Sequence, residues 1–521
     1  MCGILAADGS IPYHRLNFAT IKHRGPDNSR VAGGIGFHRL AIQDPRDDGN
    51  QPFYFDGVWL ACNGEIYNYD ELTEKWLPDH NFQSGSDCEI LAPLLLKLGI
   101  EGLVNALDAE FALVANFNGK WVAARDPIGI RPLFYGFHTE GKVAFASEAK
   151  ALINWCDEVK PFPPGHYYNN GMFVKYSSDI ASYAPQMTLD QAVRGIEHNL
   201  VSAVRKRLRS DVPTGYLLSG GLDSSIICAI AARSSEEPIN TFAIGIETNP
   251  IDTKYAKIVA DHIGSNHHEV LFSENDVLEA LDKIIYHLET WDITTIRASV
   301  GMYLVCKYIW ETTDIKVIMT GEVSDELFGY KYTDFAPTPK AFQEEAIKRV
   351  EELYMYDVLR ADRCISAWGL EARVPFADKQ FVRHVMSIPS ELKLNTTKMG
   401  KHLLRLAFDN SRGIDWLPDE ILFREKAAFS DAVGHRMVDY LKEIAEEKYD
   451  KEELLKGRAK WTDGGFFTKE ALMYREIFER HFPGRGYLIK DFWMPNRSWE
   501  GCHDVSDPSA RALSNYGSSG Q

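Results

Sequence analysis

The sequence predicts an α+β N-terminal domain followed by an α/β domain built on a doubly wound parallel sheet. Three observations predict it. The first 150 residues are rich in short β-type runs separated by Gly, Asn and Asp turns. A proline-containing stretch with little periodicity, "KPFPPGHYYNNGMFVKYSSDIASYAP" (160–185), follows. Beyond it, short apolar runs alternate with helical patterns, the rhythm of a parallel sheet.

In chain order, the N-terminal strands are "VWLACNGEIYN", "FALVANF", "KWVAARD", "PLFYGFH" and "KVAFASE". Helix-like stretches interrupt them around 13–24 and 87–99, so stacked antiparallel sheets with helices are expected. The junction ends near 187, giving domains 1–187 and 188–500. In the second domain "TGYLL" reads as a strand, "SSIICAIAAR" as a helix, "NTFAIGI" as a strand, "TKYAKIVADHIG" as a helix and "HHEVLF" as a strand. After a helical stretch, "IKVIMTGE" is a further strand, and residues 340–480 read as mostly helical. The polar segment 501–521 is expected to be a mobile tail. No internal repeat is present.

Composition narrows the function. The chain has 521 residues, 45% of them apolar and 25% charged, as in ordinary globular protein. Its net charge is −17 and no Lys/Arg cluster stands out, which argues against a general nucleic-acid binder. No run reaches the roughly 18 apolar residues of a membrane span, and the start lacks the pattern of a signal peptide. Eight cysteines (2, 62, 88, 156, 228, 306, 364, 502) form no C-x-x-C pair. That argues against a zinc site or a disulfide framework and for a reducing, cytoplasmic setting.

Two short stretches raise chemical questions. "MCGIL" places a cysteine behind the initiator methionine. If the methionine is removed, Cys2 carries a thiol and a free α-amine of pKa roughly 7.7–8.0, a self-contained nucleophile and base. The letters alone favour an arbitrary start. "LLSGGLDSS" (217–225) lies between a strand and a helix, where open α/β sheets bind ligands. Gly220 and Gly221 would let backbone amides approach a phosphate, helped by the helix N-terminus. Ser219 and Ser225 add hydroxyls, and Asp223 is a candidate Mg²⁺ ligand. A glycine turn with a Ser/Asp helix cap accounts for the same letters. The stretch is neither a Walker P-loop nor G-x-G-x-x-G.

"SGGLDSS" resembles the pyrophosphate loop of ATP-pyrophosphatases, which split ATP to AMP and pyrophosphate while adenylating a substrate. "MCGI", "HRGPD" (23–27), "NGEIYN" (63–68) and "GSDCE" (85–89) resemble a class II glutamine amidotransferase domain. In this order, and with "TTIRAS" (294–299), "TGEVSDELFG" (320–329) and "WGLEARVPF" (368–376), they resemble the glutamine-hydrolysing asparagine synthetases. The likeness runs from residue 1 to about 480, and several long motifs in fixed order are far more specific than any one alone.

The resemblance implies an αββα sandwich of the N-terminal nucleophile type for the first domain. It implies the following site residues. Cys2 attacks the side-chain amide of glutamine, with its own α-amine as base. The Asn63 side chain and the Gly64 backbone N–H form the oxyanion hole. Arg39 grips the glutamine α-carboxylate; Asp87 and the Glu65 backbone hold its α-amino group. Leu40, Ala41, Ile42 and Gln43 line the same pocket. In the second domain, Leu217, Ile244 and Gly321 face the adenine, and Ser219, Gly220, Gly221, Leu222, Asp223, Ser224, Ser225 and Thr320 complete the ATP loops. Asp223 and Asp325 ligate Mg²⁺. Lys426, in "FREKAAFSD", neutralises the pyrophosphate. Glu322 serves the aspartyl-AMP chemistry, and Arg297 and Asp357 are aspartate- or pyrophosphate-side candidates. The Glu–Arg pair of "WGLEARVPF" suits a buried structural bridge. ATP, glutamine and aspartate are the implied substrates, and a homodimer is implied by the family alone.

The sequence departs from the family pattern at one loop. The family reads S-G-E-G-S-D-E followed by F-G-G-Y; here "TGEVSDE" precedes "FGYKY". Val323 thus replaces a glycine, and one glycine after Phe328 is missing. Either Val323 takes positive φ under strain, or the shortened run lets it take negative φ with Glu322 still aimed at the site. The second is expected, because Glu322, Ser324, Asp325 and Glu326 are all retained. Two other functions remain in view: amidation of a different carboxylate, and a folded homologue with impaired synthetase activity.

Overall fold

The computed structural model describes residues 1–8, 16–177, 186–247, 251–395, 399–424, 435–463, 468–490, 492–503, 508 and 513–515. Two six-stranded antiparallel sheets form the N-terminal region. The first runs Glu158–Pro161, Phe134–Phe137, Val143–Ala146, Gly3–Ala7, Ile35–Arg39 and Asn28–Ala32. The second runs Met172–Lys175, His166–Asn169, Lys120–Arg125, Ala109–Phe117, Val58–Ile66 and Phe53–Phe55. Alternation along the strands decides the layers. Ile4, Ala6 and Phe37 of one sheet meet Ala61, Ala112 and Val114 of the other. Leu60, Cys62 and Leu113 point outward, beneath the helix Leu91–Ala106. On the far face Leu5 and Ala7 are covered by the turns Phe18–Arg24 and Ala149–Ala151. The layer order is the αββα sandwich. Helix Tyr69–Trp76, with five polar or charged residues in YDELTEKW and only Leu72 buried, carries little apolar signal in its sequence.

The helix Leu189–Lys206, closed at its start by a Thr188/Gln191 capping box, leads into a five-stranded sheet. Its order is Asn266–Phe272, Asn240–Ile246, Thr214–Leu217, Val317–Met319 and Glu371–Arg373, and every pair is parallel. The first four match the strands read from sequence; Glu371–Arg373, three residues with two charges, does not read as a strand. The chain winds outward from Thr214–Leu217 in one direction, then crosses to Val317–Met319 on its other side. Those two strands flank the switch point, where the C-terminal ends of strands open a crevice. The helix Leu222–Ser234 is buried from Ser225 to Ala231, as its apolar run Ile226–Ala232 requires. Further helices include Ile293–Thr312, Pro339–Glu352, Asp357–Ser366 and Lys469–His481. Of the segment after 500, Cys502 and Leu513 are buried with Trp493, Trp499 and Tyr332.

Candidate active sites

Cys2 immediately precedes the strand Gly3–Ala7. Its backbone N–H donates to Asn63 Oδ1 at 2.9 Å, and the Leu40 N–H donates to Cys2 Sγ at 3.4 Å. Arg24 Nε donates to the Cys2 carbonyl at 3.0 Å. Burial raises the thiol above its ordinary value, and the nearby N-terminal ammonium opposes that shift. Met1 is buried among side chains of the C-terminal core, and its amine donates to the Leu370 carbonyl at 3.3 Å. Burial pushes that amine down to about 5. Asn63 Nδ2 is buried with no hydrogen-bond partner, a donor held ready beside the thiol. Gly64 lies in the strand Val58–Ile66, and a Cβ there would stand 2.4 Å from the Glu110 carbonyl oxygen. The neighbouring strand therefore demands glycine, a reason distinct from substrate approach.

Around this centre, Leu40, Ala41 and Ile42 are buried, and Ala41 N–H donates to Asp27 of "HRGPD" at 2.8 Å. The Arg39 guanidinium holds the loop after it: Nη1 donates to Arg46 O and Asn50 Oδ1, Nη2 to Gln43 O and Asp44 O. Gln43 donates to Glu65, whose other oxygen lies 3.2 Å from Arg373 of "WGLEARVPF". Burial holds the Glu65 carboxyl well above the carboxylate range, against the pull of Arg373. Asp87 accepts from the Ile66 N–H at 2.6 Å, and burial pushes its carboxyl up to about 6.

The second site lies at the switch point. Gly220 has φ +69°, and a Cβ there would meet the Tyr255–Ala256 backbone at 2.5–2.6 Å. Gly221 caps the helix Leu222–Ser234, and Ser219 and Ser224 join hydroxyls at 3.0 Å. The hydroxyls of Ser225 and Thr320 are buried without hydrogen-bond partners. Leu217 ends its strand, and Ile244 lies within the next. The loop 320–326 comes from the adjacent strand, and a Cβ on Gly321 would lie 2.9 Å from the Ser224 nitrogen. Ser324 donates to Asp223 at 2.8 Å, so the two loops touch. Glu322 pairs with Arg360, which also reaches Asp357 at 2.8 Å. Arg297 forms a two-pronged pair with Glu470 of the helix Lys469–His481. Lys426 lies outside the described residues.

Val323 corrects an expectation. Its φ is +79°, not negative, and its side chain is 2% exposed. The valine takes a left-handed backbone conformation and packs its isopropyl group into the core with Leu222 and Leu327. Three residues at the site carried no sequence signal: Lys401 between Asp223 and Asp325, Arg360 on Glu322, and Arg424, whose Nη1 donates to Gly220 O at 3.1 Å. Lys401 and Arg360 stand in no quoted motif, and Arg424 lies two residues before Lys426 in "FREKAAFSD"; only the fold brings the three to the crevice.

Similarity to known proteins matches this layout. A family model described as a glutamine amidotransferase domain matches residues 1–186, and one described as asparagine synthase matches 195–338 and 334–497. The chain is 41% identical over 567 residues to the asparagine synthetase [glutamine-hydrolyzing] of Cricetulus griseus and to that of Homo sapiens, covering 99% of each chain. To asparagine synthetase [glutamine-hydrolyzing] 3 of Arabidopsis thaliana it is 41% identical over 515 residues, 93% of this chain and 88% of that one. This chain belongs to the glutamine-hydrolysing asparagine synthetase family.

Proposed function

We propose that the two sites perform glutamine-dependent asparagine synthesis with the residues described above in named roles. The chain is a ligase that uses glutamine as nitrogen donor. After methionine removal, the Cys2 α-amine takes the thiol proton, and Sγ attacks the glutamine amide. Asn63 Nδ2 and the Gly64 N–H hold the oxyanion, each such donor being worth about 2.7–4 kcal/mol. Collapse releases ammonia and leaves a thioester, which water hydrolyses to glutamate. Asp87 and the Glu65 backbone hold the α-amino group. Arg39 is proposed to grip the α-carboxylate, beside the loop that it braces through Gln43, Asp44, Arg46 and Asn50.

At the switch point the glycine loop and the helix N-terminus hold the phosphates of ATP. The aspartate carboxylate attacks the α-phosphorus to give β-aspartyl-AMP, and pyrophosphate leaves. Ammonia then displaces AMP, with Glu322 placed to accept a proton. Lys426 is proposed as a further pyrophosphate partner.

Among the described residues no three acidic, His or Cys groups gather as a metal site. The donor set still fits Mg²⁺: two carboxylates, Asp223 and Asp325, bracket one cationic position. Mg²⁺ keeps waters and substrate phosphates as its remaining ligands. When bound, it supplies charge neutralisation on the phosphates. A cytoplasmic setting is supported by eight free cysteines. Among the described residues no helix is long and apolar enough to cross a membrane. A homodimer is proposed from the family alone.

The observation that carries this reading is the 41% identity across 99% of both chains, which spans both sites together. The test is product analysis with glutamine, aspartate and Mg-ATP. Asparagine, glutamate, AMP and pyrophosphate are expected in matched amounts; absence of aspartate-dependent AMP, even with saturating ammonia, would overturn it.

A further inference from the structure

Lys401 caps the short helix His402–Ala407 in a left-handed backbone conformation, φ 60°, one uncommon for a residue with a side chain. Its ammonium lies 2.8 Å from each oxygen of Asp223, 2.6 Å from Asp325 Oδ1 and 3.0 Å from Ser324 Oγ. The side chain is 3% exposed. Asp223 lies in the first turn of the helix that follows one central strand, and Asp325 in the short helix Ser324–Phe328 that follows its neighbour. One buried lysine thus ties together both halves of the crevice.

Two carboxylates and one ammonium leave a net negative charge, and a divalent cation would neutralise the pair fully. A tethered ammonium is always present at high effective concentration, so it competes with any free ion for the same oxygens. A buried ammonium that loses its carboxylate partners must find another anion. The anion that arrives with the metal is the polyphosphate, at the N-terminus of the helix that carries Asp223. A lysine is a mobile point charge suited to such a move.

Resting on the reading of Asp223 and Asp325 as metal ligands, we propose that Lys401 is a phosphate-binding residue held in reserve. In the nucleotide-free protein its ammonium fills the metal position, and Mg-ATP displaces it onto the phosphates. Metal alone is therefore excluded, and metal with phosphate is admitted.

Mn²⁺ and inorganic pyrophosphate serve as probes, with binding to the full chain measured by calorimetry and Mn²⁺ paramagnetic resonance. Lys401→Met should bind Mn²⁺ alone at least tenfold more tightly than the natural chain. It should bind pyrophosphate in the presence of Mn²⁺ at least tenfold more weakly. Adding Asp223→Asn to that variant should abolish the gain in Mn²⁺ affinity. Lys401→Gln, which keeps a donor for Ser324, is the companion should the methionine variant fold poorly, and the same pattern is expected. Mg²⁺ without nucleotide should raise the melting temperature of either variant more than that of the natural chain. Equal Mn²⁺ affinities, or undiminished pyrophosphate affinity, would overturn the proposal. No turnover is read, so this result stands apart from whether asparagine is formed.

Discussion

Asn63 turns both ends of its amide to the chemistry of Cys2: Oδ1 accepts from the Cys2 N–H, and Nδ2 waits without a partner. Replacing Cys2 by Ala should therefore abolish glutamine hydrolysis while sparing asparagine formation from ammonium salt, since no residue of the second site is touched. Comparable losses of both activities in a folded variant would refute the division of labour. A second outcome at this scale concerns Asp87, whose buried carboxyl is raised from 3.8 to about 6. A carboxyl raised in the fold holds a proton that the unfolded chain releases, so its contribution to stability declines as pH rises from about 4 to about 6. Glutamine binding runs the opposite way, because the substrate ammonium needs the anion. KM for glutamine should rise as pH falls through about 6, and Asp87→Asn should remove that inflection. An unchanged KM–pH profile in Asp87→Asn would assign the dependence elsewhere.

Loops and strands differ in what they reveal from sequence. "TGYLL", "NTFAIGI" and "HHEVLF" are apolar runs bounded by turns, and they appear as Thr214–Leu217, Asn240–Ile246 and Asn266–Phe272. Their order, and hence the switch point, follows from parallel winding. Glu371–Arg373 escapes because its strand character comes from pairing with Val317–Met319 and its charges from partners in the other sheet region. Lys401 and Arg360 escape because proximity across the crevice leaves no trace in spacing. The loop around Val323 shows magnitude deciding the outcome. Left-handed backbone costs roughly 1–2 kcal/mol, and more for a β-branched residue. Burying a valine side chain is worth about 1.5–3 kcal/mol. The two nearly offset, so the loop is held despite the missing glycine. Val323→Gly loses burial as it loses strain, and ammonia-dependent AMP formation should change less than about threefold. Val323→Ala keeps the strain and loses burial, so its rate should fall below both. An alanine variant faster than the natural chain would reverse this ordering and identify strain as the dominant effect.

One helix, Asp357–Ser366, joins the two chemistries across the whole molecule. At its start Arg360 grips Glu322 of the synthetase loop. Further along, Asp362 takes both prongs of Arg24 at 2.7 and 2.9 Å, and Ser366 accepts from it at 3.1 Å. Arg24 in turn reaches Glu148 at 2.8 Å and the Cys2 carbonyl at 3.0 Å. The nucleophile is thus fixed through an arginine that the other half of the molecule anchors. Only the fork geometry of arginine can serve carboxylate, hydroxyl and carbonyl at once, so Arg24→Lys keeps the charge but cannot keep the contacts. Breaking a buried pair of this kind costs about 3–5 kcal/mol, and the lysine should recover part of it. The melting temperature should fall. A misplaced nucleophile can cost about 10²-fold in rate, so glutaminase turnover should drop by that order. Ammonia-dependent synthesis should drop much less, because Arg360 and Glu322 keep their own contact. Asp362→Asn, which leaves Arg24 in place but removes the anchoring charge, should shift both quantities in the same direction by smaller amounts. If ammonia-dependent synthesis falls as far as glutaminase in Arg24→Lys, the arginine supports the shared fold rather than the placement of Cys2. Unchanged glutaminase would show that Cys2 is held by Asn63 and Leu40 alone.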